Sequence, residues 1–202
     1  MGETCPFGTD VQRYWDKRFE YFLRFNDGIK IDKEGLYSVT PEKIALEIAE
    51  HTKGDVIVDA FGGVGGNAIA FARTGKKVYC IELDEDRKSF IEHNAKVYGV
   101  DDLIHTIQGD FFEKASTVSA KTVFLDPPWG GPSYKESGSF KLNNFSPDGT
   151  KILDYAFLNF DEVVLMVPTI FDFSEIEKFD KQYDLQDNVI NGEIISQTIY
   201  FS

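Results

Sequence analysis

The sequence predicts an α/β fold, a mostly parallel seven-stranded sheet covered by helices on both faces, with its last strand antiparallel. Three observations predict it. Short apolar runs alternate with amphipathic stretches from Asp55 onward, as strands do when each returns through a helix to a parallel neighbour. A glycine-rich segment, Gly62 to Gly66, falls where the first such run gives way to its helix. Asn191-Gly192 alone separates the two final apolar runs, the signature of a tight hairpin.

The elements follow in order. Aromatic residues recur near helical spacing from Arg13 to Phe25, which predicts an N-terminal helix. Gly28 and Gly35 then mark a loop. Thr40-Pro41-Glu42 opens a helix to about His51, with Thr40 as N-cap and Pro41 in the first turn. Val56-Ile57-Val58 is a buried strand ending at Asp59, and Asn67 to Arg73 its helix. A strand over 77–83 leads to an amphipathic helix over 86–98, closed by Gly99. Strands at 104–108 and 122–125 follow, then a Gly- and Ser-rich loop from Gly130 to Pro147. A helix near 148–157, a strand at 162–167, a helix over 173–181 and strands near 185–190 and 193–201 complete the chain.

Composition narrows the class. The 202 residues suit one full core, and 42% hydrophobic residues with 18 Phe belong to a folded chain. No apolar run approaches the roughly 20 residues of a membrane helix. The first ten residues lack the layout of a secretory signal. Two cysteines imply no disulfide framework, and three scattered histidines no zinc site, so no metal is expected. A net charge of −13 argues against a surface that tracks long RNA or DNA, and suits a small or cationic target as well as ordinary solubility.

Asp126-Pro127-Pro128-Trp129 carries the most chemistry. It closes the apolar run Thr122-Val123-Phe124-Leu125, and two prolines remove backbone donors there. Carbonyls at that edge can accept from an amino group while the indole covers a flat ring. An amine could thus be aimed at a methyl donor, with Asp126 and the Pro127 carbonyl holding it and Trp129 stacked on its ring.

The donor site would lie on Asp59-Ala60-Phe61-Gly62-Gly63-Val64-Gly65-Gly66-Asn67. Gly63 and Gly65 with Ala68 also satisfy the dinucleotide fingerprint, and Glu82 follows at a suitable distance, so a nicotinamide oxidoreductase competes here. Asp59 would repel a pyrophosphate and attract an ammonium group. Glu82 can accept from ribose hydroxyls, with Leu83 beside it, and Asp110 with Phe111 offers a carboxylate and a ring for adenine. Together these suit S-adenosylmethionine.

These stretches resemble the trimethylguanosine synthase family, RNA cap guanine-N2 methyltransferases. The resemblance rests on Asp27-Gly28-Ile29-Lys30, Ser38-Val39-Thr40-Pro41-Glu42-Lys43, Val58-Asp59-Ala60-Phe61, Gly63-Val64-Gly65-Gly66-Asn67 and Pro127-Pro128-Trp129-Gly130-Gly131-Pro132. It implies a Rossmann-like class I methyltransferase domain over 39–202 behind an N-terminal helical extension, 1–38, that lids the site. S-adenosylmethionine is the implied cofactor, and 7-methylguanosine-capped small nuclear or nucleolar RNA the implied partner. The product would be 2,7-dimethylguanosine, with a second transfer to 2,2,7-trimethylguanosine left open. By the same resemblance Phe22 and Thr40 lie near the cofactor, Ser38 and Asn94 near the base, and Arg13 and Tyr134 near the cap phosphates. Trp129 stacks on the cationic 7-methylguanine, which eases the charge balance. A monomer is expected, in the nucleus by the resemblance and otherwise in the cytoplasm. The chain departs from the family at Asp126, often Ser or Asn, and at Thr169, where an arginine grips the cap triphosphate; Arg13, Arg18 or Lys30 would have to compensate. Methylation of guanine N2 or adenine N6 in uncapped RNA or DNA, and cap binding without catalysis, are the alternative readings.

Overall fold

The computed structural model describes residues 3–202, with the backbone alone for 135–137. The chain begins with a 3-10 turn, Thr9–Val11, and two single-turn helices, α1 (Gln12–Trp15) and α2 (Arg18–Tyr21). Then come α3 (Lys33–Ser38), α4 (Glu42–His51), β1 (Val56–Asp59), α5 (Gly66–Arg73), β2 (Lys77–Glu82) and α6 (Glu85–Tyr98). β3 (Ile104–Gln108), α7 (Phe111–Lys114), β4 (Thr122–Leu125), α8 (Gly149–Asn159) and β5 (Glu162–Val167) follow. α9 (Ser174–Glu177), β6 (Tyr183–Ile190) and β7 (Glu193–Phe201) end the fold.

The seven strands run in the order β3-β2-β1-β4-β5-β7-β6. β1 to β5 pair in parallel, and β7 enters antiparallel between β5 and β6. Alternate residues feed two cores. Ile57, Val78, Phe124 and Val164 face one side, with α4, α5, α6 and the N-terminal segment. Val58, Ile81, Val123 and Leu165 face the other, with α8. Chain order reverses between β1 and β4, which opens a crevice at their carboxyl ends. Asp59 and Asp126 lie at that crevice because Asp59 is in register with Phe124.

The N-terminal helix predicted over 13–25 is broken into α1 and α2. Trp15, Tyr21 and Phe22 are all buried, and Phe22 leaves the helix in extended conformation. The next amide, Leu23 N, donates to the buried Glu42 carboxylate at 2.7 Å. Tertiary contacts override the helical pattern there. Gly35, expected in a loop, lies inside α3. Asp32 caps that helix, accepting from Gly35 N at 2.6 Å, and a Cβ on Gly35 would stand 2.5 Å from Val64 Cγ1. Glycine is required for that approach of α3 to the β1–α5 loop.

Thr40 does not cap α4. Pro41 is the capping position, without a side-chain bond, and the Thr40 hydroxyl is turned toward Asp126. The segment between Gly130 and Pro147 is more than a polar loop, since Phe140, Leu142 and Phe145 are buried in it. Elsewhere local chemistry matches the pattern. Asp84 caps α6 through Arg87 N at 3.0 Å, and Gly99 closes it at φ 68°. Among the described residues no helix is long and apolar enough to cross a membrane, and no cluster of His, Cys, Asp and Glu could hold a metal ion.

Candidate active site

A cleft of about 1040 Å³ opens along the carboxyl ends of β1 to β4 and is walled on one side by the N-terminal segment. On the β1–α5 loop, Ala60 and Gly63 line it. Ala60 N donates to Phe124 O at 3.0 Å, fixing the loop to β4. Gly63 has φ 54°, and a Cβ there would meet no protein atom within 4 Å, so the cleft itself borders its backbone. Gly65 caps α5 behind the wall at φ 93° and does not face the cleft.

Glu82 ends β2 and is nearly buried. One of its oxygens accepts from Gly63 N at 2.6 Å and the other from Asp84 N at 2.9 Å, locking it to the glycine loop. Burial raises its pKa, opposed by those two amides. Asp110 caps α7 through Phe112 N at 2.8 Å, and Phe111 packs on Phe61 with ring centres 5.7 Å apart. Asp110, Phe111 and the exposed Leu83 all border the cleft.

Asp59 lies beneath this floor, fully buried. Cys80 Sγ donates to its Oδ2 at 3.8 Å, and the Phe61 amide faces the carboxylate and opposes the rise in its pKa, while Oδ1 makes no close hydrogen bond among the described residues. Burial and then the Asp126 carboxylate push its pKa up to about 7. Asp126, on the cleft wall, is raised to about 7 by burial, opposed by hydrogen bonds from Thr40 and Asn67. Neither forms an ion pair among the described residues. A pair of carboxylates short of positive charge fits a cationic ligand, and the glycine border beside it fits a large one.

Asp126 Oδ2 accepts from Thr40 Oγ1 and from Asn67 Nδ2, each at 3.3 Å, and Asn67 Nδ2 also reaches Thr40 Oγ1 at 3.2 Å. The Pro128 carbonyl, expected among the free acceptors, is taken by Ser146 N at 3.1 Å. Asp126 and Pro127 both border the cleft, and the bonds to the Asp126 carboxylate from the described residues fall on Oδ2 alone. Trp129 stands beside them, half-buried, its ring held edge-on by Tyr134 at 5.2 Å and 85°. Ser38, Arg13 and Tyr134 border the same cleft.

Besides Asp59 and Gly65, two more predicted residues lie outside the cleft lining. Phe22 is a core side chain packed 6.2 Å from the Tyr98 ring and does not face the cleft. Asn94 is fully buried; it accepts from Lys30 N at 2.8 Å and donates to Lys30 O at 2.8 Å and Val64 O at 2.9 Å. Its amide is consumed in stitching the N-terminal segment to the glycine loop, so it supports the wall rather than meeting a ligand. Asn67 is reached in the sequence only as the end of the glycine loop, with no role of its own, and Tyr14 and Lys17 carry no site signal: Tyr14 belongs to an aromatic stripe that resembles core, and Lys17 lies between its rings.

Fold and cleft together define a Rossmann-like class I methyltransferase domain. The chain belongs to the RNA cap guanine-N2 methyltransferase family, whose model matches residues 54–197. It is 36% identical over 162 residues to a trimethylguanosine synthase of Schizosaccharomyces pombe, covering 73% of this chain and 66% of that protein. A trimethylguanosine synthase of Saccharomyces cerevisiae is 31% identical over 179 residues, 82% of this chain and 57% of the relative. The chain thus spans somewhat less than two thirds of either relative's length. Among solved structures, an RNA methyltransferase from Salinibacter ruber in complex with S-adenosyl-L-homocysteine is 26% identical. It superposes with a TM-score of 0.51, covering 80% of this chain and 90% of its own.

Proposed function

We propose that this protein transfers a methyl group from S-adenosylmethionine to the exocyclic N2 of a 7-methylguanosine RNA cap, giving a 2,7-dimethylguanosine cap. The observation that carries the reading is the clamp of Thr40 and Asn67 on Asp126, beside Trp129 and in one cleft with Gly63, Glu82 and Asp110. Family membership supports it.

S-adenosylmethionine, when bound, supplies an electrophilic methyl group on a sulfonium. Glu82 and Asp110 would hold its ribose and adenine ends, and the loop Ala60–Gly63 its methionine end, with the Asp59 charge beneath. Asp126 Oδ1 accepts a hydrogen bond from the N2 amine, turning its lone pair to the methyl group, and the Pro127 carbonyl takes the second N–H. Trp129 stacks on the guanine, and its face favours the positive charge that 7-methylation places on the ring. No strong base would be needed, since the N–C bond would form as the sulfonium S–C bond breaks, its electron pair leaving on the neutral thioether, and the proton would depart afterwards; Asp126 is placed to receive it. Rate enhancement then rests on orientation and exclusion of water. The N-terminal segment up to Ser38 acts as the lid that excludes it.

Incubation with methyl-labelled donor and either m7GTP or GTP tests the proposal. Label is expected on m7GTP alone, and product mass counts one methyl or two. Equal labelling of the two, or labelling of GTP alone, overturns the cap-specific reading.

A further inference from the structure

Strand register places three acids on one face of the sheet, at adjoining strand ends. Asp59, the last residue of β1, is level with Cys80 on β2 and with Phe124 on β4. Two residues further along those neighbours, and therefore on the same face, stand Glu82 and Asp126. Asp59 is thus recessed between the other two. It is fully buried and, unlike them, does not border the cleft. From β2 the Cys80 thiol donates to its Oδ2 at 3.8 Å, with burial and then the Asp59 charge pushing that thiol's pKa up, and Glu82 adds a like charge. The β1–α5 loop supplies the Phe61 amide, and the segment after β4 the Asp126 carboxylate. Oδ1 of Asp59 makes no close hydrogen bond among the described residues.

Asp126 is equally short of positive charge. Its donors, the Thr40 hydroxyl ahead of α4 and the Asn67 amide on α5, are neutral, and β5 adds only the Met166 thioether, 3.6 Å from Thr40 Oγ1. Among the described residues no ion pair includes Asp59 or Asp126. Glu82 is better provided, with a backbone amide on each oxygen and the Arg87 charge acting on it, although Arg87 is also held by Asp32 and Glu34. The deficit therefore falls on Asp59 and Asp126. Two buried carboxylates that feel each other do not both ionise readily, and they titrate as a pair. Their pKa values, both pushed up to about 7, agree with one proton retained between them near neutral pH.

We propose that Asp59 is a positioning residue that keeps one proton on the Asp59–Asp126 pair until S-adenosylmethionine binds, so that donor binding expels this proton and makes Asp126 a full acceptor for the cap amine. The inference rests on the cap-methylation reading and adds an order of binding to it, donor first and cap second. The net positive charge of the donor takes the place of the proton beside the pair. Methyl transfer then restores the starting state. As the N–C bond forms, the S–C bond breaks with its electron pair left on sulfur, the sulfonium charge disappears, and the amine proton passes to Asp126. The pair again holds one proton, and S-adenosylhomocysteine, poorer by one positive charge, is held less tightly than the donor. Donor and cap sites linked through one charge pair strengthen each other reciprocally.

Calorimetric titration of the intact protein at pH 7, in phosphate and in Tris, counts the protons exchanged on binding. Wild type should release roughly half a proton to one proton on binding S-adenosylmethionine, and fewer on binding S-adenosylhomocysteine. Sinefungin, an unreactive analogue with an ammonium in place of the methylated sulfur, should raise m7GTP affinity by about fivefold. Asp59→Asn should lose most of the proton release and most of that rise. Asp126→Asn removes the other half of the pair and should lose the release as well, which keeps the test decisive if Asp59→Asn does not fold. A merely structural role for Asp59 would lower the melting temperature and leave the proton count as in wild type. Absence of proton release in wild type, or full release in both variants, overturns the proposal, and the function stands if m7GTP is methylated. Failure of wild type to methylate m7GTP overturns the function and this inference with it.

Discussion

Thr40 Oγ1 donates to Asp126 Oδ2 at 3.3 Å, joining residues 86 positions apart across the mouth of the sheet. With Asn67 on the same oxygen, the carboxylate has one side fixed and one side free. Asn67→Ala should therefore lower kcat by about 10- to 100-fold, the effect of letting a reacting amine drift from its aim. The KM for m7GTP should stay close to wild type, because stacking on Trp129 is untouched. Steady-state kinetics at saturating donor check the split. An equal loss in KM would show that Asn67 contributes to binding rather than to orientation.

Much of this site is legible in the sequence because it is built from short contiguous pieces. Asp59 to Asn67 and Asp126 to Trp129 each follow a strand whose apolar run is unmistakable, so their placement at one sheet edge follows from the parallel pattern. The N-terminal segment is different. Its stripe of Tyr14, Trp15, Phe19 and Phe22 has helical spacing, but the chain leaves that helix at Phe22, where Leu23 N bonds to Glu42, a carboxylate that also holds Arg73 and Tyr98 from distant parts of the chain. Asn94 shows the same limit. A polar residue on an amphipathic helix gives no sign that its amide is spent on Lys30 and Val64.

Stability of the ligand-free protein should fall as pH rises toward neutrality. Asp59 and Asp126 have pKa values raised from 3.8 to about 7 in the fold. Between those limits the folded state binds more protons than the unfolded one, so the stabilisation present below pH 4 is lost as pH climbs through about 7. Asp59→Asn removes one titrating group and should flatten the slope of melting temperature between about pH 4 and pH 7. A slope equal to wild type would show that Asp59 is ionised throughout. Methyl transfer should move oppositely, rising through the same window as Asp126 ionises and becomes an acceptor for the amine.

Trp129 offers a separation of the two halves of the cleft. Trp129→Ala should weaken m7GTP binding by at least about tenfold, the worth of a desolvated cation–π contact. S-adenosylhomocysteine affinity should hold, because Gly63, Glu82 and Asp110 do not depend on the indole. Trp129→Phe should retain a ring and recover part of the loss. Calorimetric titration of each ligand against each variant gives the comparison, and unchanged m7GTP affinity in Trp129→Ala would remove it as the platform.

Glu42 connects the wall to the body of the protein and should control how firmly the cleft is closed. Its nearly buried carboxylate accepts from Leu23 N at 2.7 Å, from Arg73 at 2.5 Å and from the Tyr98 hydroxyl. Each donor comes from a different element, and all three lose their acceptor in Glu42→Ala. The cost should be about 3 kcal/mol, the range for removing one partner of a buried, hydrogen-bonded charge. Because Leu23 belongs to the N-terminal segment, the loss should be felt locally before it is felt globally. Amide exchange should accelerate over residues 12–38 while β1, β2 and β4 stay protected. Affinity for m7GTP should fall with it, since Arg13, Tyr14 and Lys17 lie on the loosened wall, and affinity for S-adenosylhomocysteine should change less. Uniform exchange across the whole chain would mean that the N-terminal segment and the sheet open as one unit, and that the wall does not move by itself.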